Sequence, residues 1–506
     1  MAGLRVLVAA SEVVGFAKTG GLADVAGSLP RALARRGHQV AVVMPLYNET
    51  RESGLPIEKT GITIPVPMGD RVLACRLFRS KLPNSDVPVF LIEHIPYFQR
   101  DDKKAGRGLY TQRTADGNQA DYWDNGERFV FLSRAIMETA PHVGFTPDVI
   151  HANDWQTGLV PAYLSEVYRG RGGLQHTRSI LTIHNIAYQG NYPPDLMNFT
   201  GLPQRLYTNG QLEFYSQLSF LKGGIVFADA VNTVSPTYAR EITTGEFGYG
   251  LDGLLSSVRY KLSGIVNGVD YDEWNPKTDK FLPQQYTPDD VAAGKELNKA
   301  ELLKQFKLPA VADAPLLGVV ARLDHQKGFD LILSAAPGFI DLGCQMVFLG
   351  SGAREFQQQL QALRDRYSER VGIYIGFSNA LAHLIEAGSD LFLMPSKYEP
   401  CGLNQMYSLK YGTPPVVRST GGLADTVVNA TEENLADRRA TGFSFHDYTA
   451  HALYETVRWA LRLMRERPED YAQVIQTAMA QDWSWDRSAE AYEMLYRKVL
   501  GMPASH

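Results

Sequence analysis

Two loops in the last third of the chain bring together residue types that suit an anionic ligand carrying hydroxyls. In the stretch 390–428, an apolar run ends at Pro395 and a polar turn follows with the carboxylate Glu399. Thr420-Gly421-Gly422 comes shortly afterwards, and glycines and hydroxyls ahead of a helix suit phosphate oxygens. Upstream, Arg322 and Lys327 share the loop Arg322-Leu323-Asp324-His325-Gln326-Lys327-Gly328. Two cations on one loop can clamp an anion, although an arbitrary pair of loop cations is more often solvated surface. Near the N-terminus, Lys18 precedes Thr19-Gly20-Gly21, so the sequence Thr-Gly-Gly-Leu-Ala-Asp occurs twice, at 19–24 and 420–425. The plain reading is one helix start used twice. The sharper one is an anion-friendly helix N-terminus in each half, both serving one ligand. His184 ends a predicted strand, and Asp154 follows one. A lone histidine there is commonly structural, and Asp154 is as plausible a helix cap as a ligand contact.

The elements that must position these residues form a repeated strand–loop–helix pattern. Val6–Ala10, a glycine loop, a helix over 22–36 stopped by Gly37 and a strand at 40–44 make a βαβ unit. The loop lacks G-x-G-x-x-G, so it is not the dinucleotide fingerprint. Strands follow at 148–151, 179–184 and 230–234. The segment 51–91 alternates with several prolines and predicts short strands in hairpin-like excursions. The segment 100–125, with Gly106, Gly108 and Gly117, reads as a long loop that is mobile or functional. Between 267 and 314 the organisation changes, marking the crossing into a second domain. A new alternation then begins with strands at 317–321, 346–349, 373–375 and 391–394. In open α/β sheets ligands bind at the carboxyl ends of strands, where each of these loops lies.

The composition, 44% hydrophobic and 21% charged with a net charge of −5, is ordinary for a soluble globular protein, and the strand–helix alternation places it in the α/β class. It argues against nucleic acid or an anionic membrane as partner. Cys75, Cys344 and Cys401 are far apart in sequence, form no metal-type pair and predict reduced thiols in a cytoplasmic setting. No apolar run reaches membrane-spanning length.

Residue by residue, Lys18-Thr19-Gly20-Gly21-Leu22, Glu399-Pro400-Cys401-Gly402-Leu403 and Thr420-Gly421-Gly422-Leu423 resemble the starch and glycogen synthase family of retaining glycosyltransferases. The resemblance reaches both ends of the chain. It implies two Rossmann-like domains facing a deep cleft (the GT-B type). Residues 1–264 would be the acceptor side, 265–480 the donor side, and 481–506 a C-terminal helix crossing back to the first domain. The aromatic residues Trp483, Trp485 and Tyr492, with Leu495, supply apolar surface for that crossing.

The family's activity is transfer of glucose from ADP-glucose to the non-reducing end of an α-1,4-glucan such as glycogen, without a cofactor. Arg322 and Lys327 would hold the leaving diphosphate in place of a metal ion. Lys18, with Gly20 and Gly21, would reach the donor. His184 and Asn185 would line the reacting sugar, and Glu399 would accept from its hydroxyls. Cys401, Gly402, Leu403, Thr420, Gly421 and Gly422 would form the donor loops, and Asp154 would meet sugar or acceptor. Phe377 stands where an aromatic could stack on the base, or it belongs to the core. Many related transferases carry a second glutamate where this chain has Tyr407, so Glu399 alone carries over. With no evident covalent nucleophile, the resemblance favours same-face displacement. Alternatives are a UDP-glucose donor, another acceptor, or a glucan-binding protein without catalysis.

Overall fold

The computed structural model describes residues 3–114, 119–171 and 173–503. The chain divides into two compact units. The first holds residues 1–234, 239–268 and 485–506; the second holds 235–238 and 269–484.

In the first unit, the strand Arg5–Ala9 (RVLVA) is apolar on both faces and buried from Val6 onward, as a central parallel strand requires. Among the described residues it sits in a nine-stranded sheet ordered Leu262–Gly264, Ala230–Thr233, Arg178–Ile183, Val149–Asn153, Arg5–Ala9, Gln39–Pro45, Pro88–Glu93, Arg71–Lys81, Glu58–Met68. Pairing is parallel as far as Pro88–Glu93 and antiparallel for the last two strands. Those last strands run 11 residues each, so the 51–91 segment is a long hairpin rather than short excursions. Pro65 and Pro67 fit because Glu58–Met68 is the edge strand, where a missing N–H costs no ladder bond. The order reverses beside Arg5–Ala9, which lies between the second and the fourth parallel strands of the unit, Gln39–Pro45 and Val149–Asn153. That switch point puts the loops after Ala9 and after Asn153 side by side.

The 100–125 segment is tied down. Arg100 makes a two-pronged pair with Asp124 (2.9 and 2.6 Å), and Thr111–Arg113 pairs antiparallel with Gln119–Asp121. Gly117 lies outside the described residues.

The last helix, Trp485–Val499, packs in the first unit against Gly21–Arg35, with Arg36 on Glu493 at 3.0 Å. Tyr496 and Tyr492 hydroxyls reach the sheet at His151 Nδ1 (2.9 Å) and Asn232 Nδ2 (3.1 Å). Trp483 belongs instead to the second unit, where its N–H donates to the Tyr271 hydroxyl at 3.0 Å.

The second unit has a six-stranded sheet ordered Val371–Ile375, Gln345–Gly350, Leu316–Val320, Leu391–Met394, Pro415–Arg418, Phe443–Phe445, parallel throughout. Its doubly wound order has its switch point between Leu316–Val320 and Leu391–Met394. Ser378 and Thr449 cap the helices that follow them by accepting from Leu381 and Ala452 N–H. The polar segment after residue 290 is a helix, Val291–Gln305, that apolar spacing does not reveal. Its buried row includes Gly294 and Asn298 beside Val291, Leu302 and Leu303. Among the described residues no helix is long and apolar enough to cross a membrane.

Candidate active site

In the second unit, the loops leaving the two switch-point strands are zipped together. Asp324 caps the turn His325–Lys327 by accepting from the Lys327 N–H at 3.1 Å, which fixes where Lys327 departs. The Lys397 N–H donates to the Gln326 carbonyl (2.8 Å), and the Gln326 amide donates to the Tyr398 carbonyl (3.2 Å). Gly328, at φ 73°, lies so close to the Pro395 carbonyl that a Cβ would overlap it. Across this seam Lys327 Nζ meets the Glu399 carboxylate at 2.5 Å, and the Ser396 hydroxyl donates to the same oxygen at 3.1 Å. Glu399 is buried, and Lys327 is about one-fifth exposed. Arg322 pairs through Nε with Asp324 and reaches Gln326 Oε1 at 3.4 Å. Both predicted clamp cations therefore sit at the switch point, each against a carboxylate.

The Thr420-Gly421-Gly422 turn supports the Glu399 loop from below. A Cβ on Gly421 (φ 45°) would overlap the Glu399 carbonyl oxygen, and one on Gly422 the Cys401 carbonyl oxygen. The Gly422 N–H donates to the Glu399 and Pro400 carbonyls at 3.1 and 3.2 Å. These glycines thus serve close backbone approach, and Gly422 spends its N–H within the protein. Cys401 and Thr420 are buried. Gly402 has φ 73°, and Leu403 is the N-cap of the helix Asn404–Lys410.

Tyr407 fills the place of the second glutamate with packing. Its ring stacks on Trp274 (3.8 Å between centroids, 2°), and Trp274 stacks in turn on His383 (3.7 Å, 11°). Phe377 is 85% exposed, which removes the core reading of that residue.

In the first unit, the loop after Ala9 is organised by Glu12, which sequence reasoning passed over as a site residue. Its buried carboxylate accepts from the Thr19 N–H and hydroxyl (the latter at 2.8 Å), from the Gly20 N–H at 3.2 Å and from the Tyr110 hydroxyl at 3.0 Å. Burial raises its pKa. The available signal was an acid placed directly after an apolar strand. Lys18 is half-exposed and pairs with Asp24 at 2.6 Å. Gly20 and Gly21 have open space where a Cβ would be. The two Thr-Gly-Gly-Leu-Ala-Asp copies therefore differ, one glycine pair facing space and the other pressed onto backbone. Asp425 of the second copy accepts from the Thr237 N–H and hydroxyl at 2.8 and 2.6 Å.

Asp154 has φ 56° and makes no side-chain cap bond, so the helix-cap reading does not hold. Its buried carboxylate instead accepts from the backbone N–H groups of His184 (2.7 Å) and Asn185, bracing the loop after Ile183. Burial lifts its pKa to about 7, with those N–H groups pulling the other way. His184 Nε2 lies 2.9 Å from Asn153 Oδ1. The Asn153 amide nitrogen donates to the Ala9 and His151 carbonyls, so Oδ1 is the acceptor and His184 carries its proton on Nε2. Burial drops the His184 pKa to about 3, so the ring is neutral. Asn185 turns its own loop, its Oδ1 accepting from the Ala187 N–H at 3.0 Å.

Two α/β units, each with its candidate loops at the switch point of a doubly wound sheet, have the architecture of the GT-B glycosyltransferases. The family model described as "Starch synthase catalytic domain" matches residues 5–257, and that described as "Glycosyl transferases group 1" matches residues 302–478. A glycogen synthase of Rhodopirellula baltica is 44% identical over 99% of this chain and 98% of its own length. One from Thioalkalivibrio sulfidiphilus is 46% identical over 98% and 100%. Among solved structures, the catalytic domain of starch synthase IV from Arabidopsis thaliana, bound to ADP and acarbose, superposes with a TM-score of 0.89 at 32% identity, covering 99% of this chain and all of that one. The chain belongs to the starch and glycogen synthase family.

Proposed function

We propose that this protein elongates glycogen, transferring glucose from ADP-glucose to the non-reducing end of an α-1,4-glucan with retention of configuration. The observation that carries this reading is the Lys327–Glu399 pair at the switch point, within a chain 44% identical to a glycogen synthase along nearly its whole length. ADP in the starch synthase neighbour supports the adenine nucleotide as donor. Cytoplasmic placement accords with the reading.

In the proposed reaction Arg322 and Lys327 neutralise charge building on the leaving diphosphate, which lowers the barrier more than it tightens the ground state. Glu399, positioned by Lys327 and Ser396, accepts from donor glucose hydroxyls. Neutral His184 lines the sugar and holds no proton to give as an imidazolium near pH 7. The acceptor hydroxyl attacks from the face that the phosphate leaves, forming the new C1–O bond as the C1–O(phosphate) bond breaks. Its proton passes to the departing phosphate.

The test supplies glycogen with ADP-glucose or UDP-glucose and measures the released nucleotide and the anomeric configuration of the new linkage. ADP release with an α-linkage is expected. Faster turnover with UDP-glucose, or a β-linkage, would overturn the reading.

A further inference from the structure

Three tyrosines of the first unit stand exposed around the loop that carries His184. Tyr188, Tyr215 and Tyr249 are 54%, 77% and 46% exposed. Two of them hold backbone conformations that tyrosine rarely adopts. Tyr215 and Ser216, with φ 48° and 62°, form the two-residue turn between the paired strands Glu213–Phe214 and Gln217–Ser219. Positive φ at both turn positions is what a type I′ hairpin demands, and asparagine and glycine meet that demand most easily. Here Tyr-Ser fills the turn, held by Glu213, whose carboxylate accepts from the Ser216 N–H at 2.7 Å. Tyr249 has φ 50°, directly before Gly250 at 83°.

These turns make one surface with the His184 loop. The Gln189 amide donates to the Tyr249 carbonyl at 3.0 Å and to the Ile186 carbonyl at 3.3 Å. The Tyr215 ring lies by Gly250, where a Cβ would be 3.4 Å from its Cε2. The Tyr215 ring meets Phe214 edge-on (4.7 Å between centroids) and still stays largely exposed, as Tyr188 and Tyr249 stay about half-exposed, and two of the three sit in turns that small polar residues would fill with less strain. Such strain persists where the surroundings enforce it, and it gathers at ligand sites.

We propose that Tyr188, Tyr215 and Tyr249 form an aromatic platform for the acceptor glucan, holding sugar units beyond the one that reacts. A tyrosine presents a ring face to the C–H face of glucose and a hydroxyl to its polar rim, and an uncharged platform suits an uncharged polymer. Continuity with the His184 loop places it along the path of an acceptor whose end reaches His184. The proposal rests on the glucan-elongating function and adds where the rest of the polymer is held. Contacts remote from the reacting end bind ground and transition state alike, so they act on acceptor KM and leave kcat alone.

The test uses the full chain with Tyr188→Ser, Tyr215→Asn, Tyr249→Asn and the Tyr215→Asn/Tyr249→Asn double variant, asparagine being chosen because it tolerates positive φ. Expected is an acceptor KM for glycogen and maltoheptaose raised about five- to tenfold in the double variant. The kcat, the KM for ADP-glucose, the KM for maltose and the melting temperature should stay at wild-type values. An unchanged glycogen KM, or equal losses with maltose and glycogen, would overturn the platform. Affinity electrophoresis in glycogen-containing gels reads binding without turnover. Retardation of wild type that the double variant loses supports the platform, and equal migration refutes it. Wild type that forms no glucan from ADP-glucose would refute the proposed function and leave this binding result to stand by itself.

Discussion

At the scale of single residues, the two proposed clamp cations separate by what each leaves behind. Arg322 is more than half exposed and its partner Asp324 is partly exposed, so Arg322→Ala should lower kcat by about two to three orders of magnitude while stability hardly moves. Lys327→Ala should lose as much activity and also about 1–3 kcal/mol of stability, because it strands the buried Glu399 carboxylate. Turnover within tenfold of wild type for both would sink the clamp. Glu399→Gln keeps an oxygen for Lys327 and should be milder than Glu399→Ala. Neither wild type nor variant should carry a glucosyl adduct in intact-protein mass spectra.

Asp154 makes a pH prediction with a definite sign. Its pKa moves from 3.8 to about 7 on folding. In that window the folded chain holds a proton that the unfolded chain has released. Asp154 therefore makes stability fall as pH rises, by about 1.4 kcal/mol per pH unit. His151 and His184 act oppositely. Both stay neutral down to about 3 when folded and take up protons below 6.5 when unfolded, so their contribution is lost as pH falls. Subtracting wild-type from Asp154→Asn unfolding curves cancels the histidines. The variant should gain on wild type steadily from pH 4.5 to 7, and a flat difference would contradict the buried carboxylate.

At the scale of elements, the two Thr-Gly-Gly-Leu-Ala-Asp turns form a controlled comparison. Gly421 has φ 45° and no room for a Cβ, whereas Gly20 is extended (φ −154°) and faces open space. Gly421→Ala should cost about 2–4 kcal/mol and disturb the Glu399 loop. Gly20→Ala should stay within about 0.5 kcal/mol of wild type. Equal melting temperatures for the two variants would refute the distinction.

For the molecule as a whole, the prediction concerns the last helix. Ending the chain after Ser484 removes Tyr492, Glu493 and Tyr496. It takes one hydrogen-bond partner from each of Asn232, Arg36 and His151, two of the three on sheet strands. The truncated protein should melt well below the full chain, and hydrogen exchange should rise first in the strands Val149–Asn153 and Ala230–Thr233. An unchanged melting temperature with full protection there would contradict a structural tail.

The sequence by itself determined the strand–loop–helix alternation, the loops at strand ends and the family, because these rest on local apolar spacing and on short runs such as Glu399-Pro400-Cys401-Gly402. It also located Arg322, Lys327 and Glu399 as loop residues. It did not show that Lys327 and Glu399 touch, since two loops 72 residues apart meet only when the doubly wound order puts their strands side by side. Tertiary structure likewise decided that Glu12 organises the Lys18 loop, that Asp154 braces His184 rather than capping a helix, and that Tyr407 stacks on Trp274. The physical reason is common to all three. A buried polar or aromatic group takes its role from the partners that satisfy it, and those partners lie on other elements of the fold.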